Sequence, residues 1–125
     1  MVPQNGFVVA GKETAAFLEE KLAYLGLNRK EANEFIMYWL PRMEDNPYNL
    51  IHFASEQYEE QAKLVIVPKP DCRIRVMMLT QPLNARIDLP LQELSLLKKV
   101  RKGFTMVEWG GAIINTIKKG TIQEQ

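Results

Sequence analysis

From Glu13 to Leu25 the apolar residues Phe17, Leu18, Leu22 and Leu25 recur at the spacing of one helix face, while Glu19, Glu20 and Lys21 occupy other faces. Gly26 follows, free to take positive φ, and Leu27 can fold back over the last turn, so the pattern predicts a helix that stops there. Asn28 restarts it. Its side chain can accept from the first-turn N–H groups, and Glu31 stands three residues on, where a capping-box carboxylate belongs. Ala32, Phe35, Ile36, Trp39, Leu40 and Met43 then make one apolar stripe. Pro41 lacks the N–H for the i−4 bond and crowds the preceding turn, which predicts a helix end near Trp39. Two amphipathic helices joined by Gly-Leu-Asn form an αα-hairpin whose apolar faces need a common partner.

Elsewhere the period is two. Gly6 to Gly11 reads as a short edge strand, Asn46 to Asn49 as a turn, and Leu50 to Ala54 as a strand. Ser55 to Ala62 reads as a short polar helix or loop, Leu64 to Val67 as β-rich, and Pro68 to Asp71 as a stiff turn. Cys72 to Thr80 alternates, with Ile74, Val76 and Met78 on one face and Arg73 and Arg75 on the other. Pro82 and Pro90 bracket Arg86 to Leu89, which restricts that stretch to an edge strand or loop. Gln92 to Lys102 reads as a short basic helix. Phe104 to Trp109 is a second alternating strand, with Phe104, Met106 and Glu108 opposite Thr105, Val107 and Trp109, and Gly110-Gly111 is expected to end it. Residues 112–125 read as a flexible or weakly ordered tail. Two helices followed by β segments without regular βαβ alternation predict a single α+β domain over 1–125: an N-terminal αα-hairpin packed against a small, mostly antiparallel β-sheet.

Three stretches carry a resemblance: Gly6 through the NPYNLI segment to Phe53, the PKPD segment with the strand after it, and KGFTMVEWGG. Over Gly6 to Gly111 the chain resembles the C-terminal part of a family of uncharacterised, mainly bacterial proteins. In longer members of that family a β-rich segment precedes this region. The resemblance therefore implies a C-terminal portion or a short form, and it implies no catalytic residue and no cofactor.

Composition narrows the function classes. Sixteen basic residues against fifteen acidic leave a formal charge of +1, too little for a global field that draws nucleic acid or an anionic membrane. The single cysteine, Cys72, excludes an intrachain disulfide and a cysteine-rich zinc site, and it does not fix a compartment. No apolar run approaches the roughly 20 residues of a membrane span, and the first residues, Met1 to Gly6, do not form a signal peptide.

Candidate chemistry is sparse. His52 is the only histidine, and nucleophilic catalysis would need Cys72 or a serine beside it with an orienting acid. Nothing in the sequence brings them together, so a packed strand histidine with one hydrogen bond is the simpler reading. With one histidine and one cysteine, no metal-ligand spacing exists. Adjacent acids such as Glu19-Glu20 point about 100° apart on a helix and read as solvated faces. Glu108 is different, because it shares a strand face with Phe104 and Met106. A carboxylate there needs a partner, and Arg73 or Arg75 can supply one. A structural ion pair is the first reading and a ligand-binding acid the second. Lys98-Lys99-Val100-Arg101-Lys102, with Lys118-Lys119 later and Phe104 and Trp109 added, has the ingredients of a nucleic-acid patch but matches no RNA-recognition, KH or helix-turn-helix signature, and a solvated helix end is favoured over it.

Tyr38, Arg42 and Tyr48 lie where the second helix ends, outside its core stripe, and aromatics with polar handles are enriched at recognition surfaces. The binding candidates are therefore Tyr38, Arg42, Tyr48, Glu108 and Trp109. The leading expectation is a non-enzymatic interaction or structural module, part of a larger bacterial protein, needing no cofactor and partnered by another protein or by the family's N-terminal segment. The alternative is a small-ligand-binding or hydrolase-like protein using His52, Glu108 and Arg73 or Arg75.

Overall fold

The computed structural model describes residues 3–54 and 71–114. The expectations for Ser55 to Ala62, Leu64 to Val67, Pro68 to Pro70 and the tail beyond Ile114 fall outside these residues. Within them the chain is α+β. Strand β1 (Phe7–Ala10) leads through a 3-10 turn into helix α1 (Thr14–Tyr24) and then helix α2 (Arg29–Trp39). A second 3-10 turn, Leu40–Arg42, precedes β2 (Tyr48–Phe53), followed by β3 (Cys72–Leu83) and β4 (Thr105–Ile113). The sheet order is β1-β2-β3-β4, with β1–β2 and β2–β3 antiparallel and β3–β4 parallel.

Local chemistry sets the helix ends. Gly26 takes φ 110°, and the Leu27 and Gly26 N–H groups donate to the Leu22 and Ala23 carbonyls at 3.0 and 3.1 Å. This is the Schellman arrangement that only a residue tolerant of positive φ supports cheaply. Asn28 Oδ1 accepts from the Glu31 N–H, and Glu31 Oε1 accepts from the Asn28 N–H, both at 2.9 Å. At Trp39 the α-helix tightens into the 3-10 turn that contains Pro41.

Both helices lie on one face of the sheet. Leu18 and Leu22 of α1 and Phe35 and Trp39 of α2 bury against Ile51, Phe53, Ile74, Val76 and Met78. A buried polar cluster ties the helix layer to β2. Asn49 Nδ2 donates to the Met43 carbonyl at 2.9 Å and to Thr14 Oγ1 at 3.3 Å, and its Oδ1 accepts from Asn46 at 2.8 Å. The expected turn at Asn46 to Asn49 is accordingly shorter, because Tyr48 and Asn49 already belong to β2.

The parallel pair β3–β4 requires a long crossover, and residues 84–104 provide it. These residues are not the basic helix expected over Gln92 to Lys102; only Ser95–Leu97 makes a 3-10 turn. The stretch is pinned at both ends and cannot shorten into a helix. The Gln92 side-chain amide donates to the Phe53 carbonyl at 2.7 Å and accepts from the Phe53 N–H at 2.9 Å, in the manner of a strand neighbour. Arg101 reaches the Gly26 carbonyl at 3.0 Å. Between these ties Leu94 is buried in the core and Leu97 packs against it.

Strand β4 does not end at Gly110-Gly111 but continues to Ile113, in register with Thr80. A methyl group on Gly111 would collide with the Met78 carbonyl and lie 2.9 Å from Trp39 Cζ2. Gly111 is therefore the gap in β4 into which the indole packs. Pro82 lies past the last β4 pairing, so its missing N–H breaks no ladder bond on that side.

Candidate functional site

The last turn of α2 divides its aromatics between core and solvent. Trp39 points inward and is buried, while Tyr38, one position earlier, is 47% exposed. The two rings meet edge to face at 5.1 Å. Arg42, one helical turn on from Tyr38, lays its guanidinium 3.9 Å from the Tyr38 ring centroid and donates to the Tyr38 carbonyl. From the sheet, Trp109 of β4 packs edge to face on Phe35 at 5.2 Å and lies 6.1 Å from Tyr38. Three of the sequence-predicted residues, Tyr38, Arg42 and Trp109, thus form one corner between α2 and β4. The i, i+4 spacing of Tyr38 and Arg42 brings the cation over the ring. Alternation along β4 turns Trp109 toward the helices.

The floor of this corner is Phe35 and Trp39, and its side is the end of β4, where Gly111, Ala112 and Ile113 are exposed. Among the described residues β4 is one of the two edge strands of the sheet, β1 being the other. Among the described residues the Trp39 indole N–H is buried without a partner, as is Thr80 Oγ1 on the helix-facing side of β3. The exposed continuation of β4 was hidden in the sequence because Gly-Gly normally signals a strand end.

Tyr48 and Glu108 lie elsewhere. Tyr48 opens β2 opposite Ala10, and its ring neighbour is Arg86, with the guanidinium 6.0 Å from the centroid. Glu108 points to the sheet face away from the helices and forms an ion pair with Arg75, its register neighbour, whose side chain is only 3% exposed. His52 shares that face but sits opposite Leu79, with Nδ1 3.0 Å from the Asn5 carbonyl. The register sets it about 13 Å along the strands from Glu108 and two strands across. The imidazole and the carboxylate therefore do not converge, and Cys72, at the far end of β3, is farther still from His52. Among the described residues no group of three or more His, Cys, Asp or Glu side chains could hold a metal ion. No helix there is long and apolar enough to cross a membrane. No protein family, curated protein or solved structure matches this chain.

The basic stretch has a structural role at Arg101. Its guanidinium forms a two-pronged pair with Glu31, at 2.6 and 3.2 Å. Partial burial pushes the Glu31 carboxyl up, but the Arg101 hydrogen bond, the Asn28 N–H and the Arg101 charge outweigh it and hold the carboxyl below its ordinary value. Lys98 Nζ sits 5.0 Å over the Tyr24 ring. An open groove of about 600 Å³ runs between α1 and this crossover, lined by Tyr24, Leu94 and Lys99 among others and carrying Glu20 and Glu93 beside its lysines. Trp109 belongs to the α2 corner, so the aromatic interleaving of a nucleic-acid patch does not assemble here.

Proposed function

We propose that the chain is a non-enzymatic interaction module of a larger bacterial protein, holding a protein partner at the corner of Tyr38, Arg42, Trp109 and β4. The observation that carries this reading is the half-exposed Tyr38 ring, held between the Arg42 guanidinium and Trp109 beside an exposed strand end. Tyrosine, tryptophan and arginine dominate measured interface energies, and rings already fixed by packing lose little entropy on binding. An outer strand offers main-chain groups to an extended segment, which can add to the sheet while its side chains contact the aromatic corner. Gly110 and Gly111 leave that approach free of bulk. The occupant is an extended segment of another protein, or the N-terminal β-rich segment that the resembling family carries.

The test is selection of binders from a displayed library of random extended peptides, followed by affinity measurement on variants. The substitutions Tyr38→Ala and Arg42→Ala, both at solvent-exposed positions, are expected to weaken selected peptides by about thirtyfold each, the effect of a side chain worth about 2 kcal/mol. Peptides that bind both variants as tightly as the parent would contradict the reading.

A further inference from the structure

The crossover into β4 exposes apolar side chains among lysines. Leu96 is 90% exposed, Val100 78% and Phe104 47%, all within one short stretch that also holds Lys98, Lys99 and Lys102. Among the described residues none of those three lysines takes part in an ion pair, Lys98 lying over the Tyr24 ring instead, whereas the arginine among them, Arg101, is committed to Glu31.

The exposure does not come from a loose chain. Leu94 is buried and Leu97 half-buried beneath the stretch, and Arg101 ties it to the Gly26 carbonyl. At its end Asp71 accepts from the Phe104 N–H at 2.9 Å, and the Asp71 N–H donates to the Phe104 carbonyl at 2.8 Å. Gly103 takes φ 61° against the Asp71 carboxylate to make that turn. Leu94 and Leu97 supply the inward contacts, and Leu96 and Val100 are left outward on a backbone that is held.

We infer that this crossover docks the protein onto an anionic lipid surface, with Leu96, Val100 and Phe104 entering the interface and Lys98, Lys99 and Lys102 meeting the headgroups. The side-chain types select this partner. Three large apolar side chains exposed along one short, held stretch of chain are unusual without a binding role, and lipid offers aliphatic ones an apolar phase while its charge attracts the lysines. A nucleic acid offers phosphates to the lysines and a base for Phe104 to stack on, but nothing that rewards exposing Leu96 and Val100. The overall charge of +1 gives no long-range attraction, so binding depends on this local patch.

The test is flotation of the full chain with phosphatidylcholine vesicles and with mixed phosphatidylcholine–phosphatidylserine vesicles. Binding to the mixed vesicles alone, weakening as salt rises, is expected. Replacing Lys98, Lys99 and Lys102 together by Gln should weaken it about a hundredfold, about fivefold for each lysine. Leu96→Ser with Val100→Ser, which leaves every charge in place, should weaken it about a hundredfold, about tenfold for each side chain. All these side chains are exposed, so the melting temperature should hold and separate lost docking from lost folding. The Tyr38 and Arg42 variants should float like the parent, which keeps this inference distinct from the protein-binding corner. Absence of binding to mixed vesicles would overturn it. So would binding that survives the Leu96 and Val100 changes, or retention on a single-stranded oligonucleotide that only the lysine changes abolish.

Discussion

At Gly111 a single missing carbon decides whether the helix layer closes on the sheet. Trp39 fills the space that a Cβ would occupy, and the Met78 carbonyl bounds it on the other side, so neither neighbour can yield cheaply. Gly111→Ala is expected to cost about 1–3 kcal/mol, the usual penalty of overpacking, read from urea unfolding. Gly110→Ala is the natural control, because its methyl would meet only the end of the Met77 side chain, at 3.1 Å, and it should cost less. Asn49 is the polar counterpart. Replacing it by Ala removes the donor to the Thr14 hydroxyl and one of two donors to the Met43 carbonyl, which keeps the Asn46 N–H at 3.2 Å, an expected loss of about 1–3 kcal/mol. Both residues were legible only in part. Nothing in the sequence says that an indole packs into the space beside the second glycine of a Gly-Gly pair, or that the asparagine of an apparent turn is a core hub. Such facts depend on which elements meet, and local pattern does not carry them.

At the scale of elements the two helices were the most legible feature, because their caps are local chemistry: Gly26, Asn28 and Glu31 act on backbone groups within a few residues. The crossover was the least legible, because its conformation is set by distant anchors. Gln92 pairs with Phe53, and Arg101 pairs with Glu31; these ties override the helical reading of the lysine-rich stretch. The same Glu31 serves the α2 cap and the crossover, which couples them. Its carboxyl titrates below the ordinary value in the folded state, so in acid the unfolded chain binds more protons than the folded one. The pair's contribution is therefore complete above the ordinary carboxylate range and is lost as the pH falls through the depressed value. Glu31→Gln should lower stability at neutral pH by about 1 kcal/mol, while flattening the acid limb of stability against pH measured by denaturant titration. An unchanged acid limb would dissociate the carboxyl from both roles.

For the whole molecule, the sheet sorts candidate chemistry by face and by register. Arg75 and Glu108 meet because parallel pairing puts them opposite each other, and His52 stays apart because antiparallel pairing puts it opposite Leu79. The ion pair was legible from strand alternation. The separation of His52 was not, since register across two strands is invisible in one sequence. The corner of Tyr38, Arg42 and Trp109 was legible as a set of residue types, and only the contact of α2 with β4 made it a surface. The measurement that bears most directly on that surface is amide chemical-shift mapping by NMR, on titrating a selected extended peptide into the labelled protein. The account predicts that the largest shifts run along β4 from Thr105 to Ile113 and at Tyr38 and Arg42. Shifts confined to the sheet face around His52 and Glu108, with β4 and the end of α2 unmoved, would contradict it.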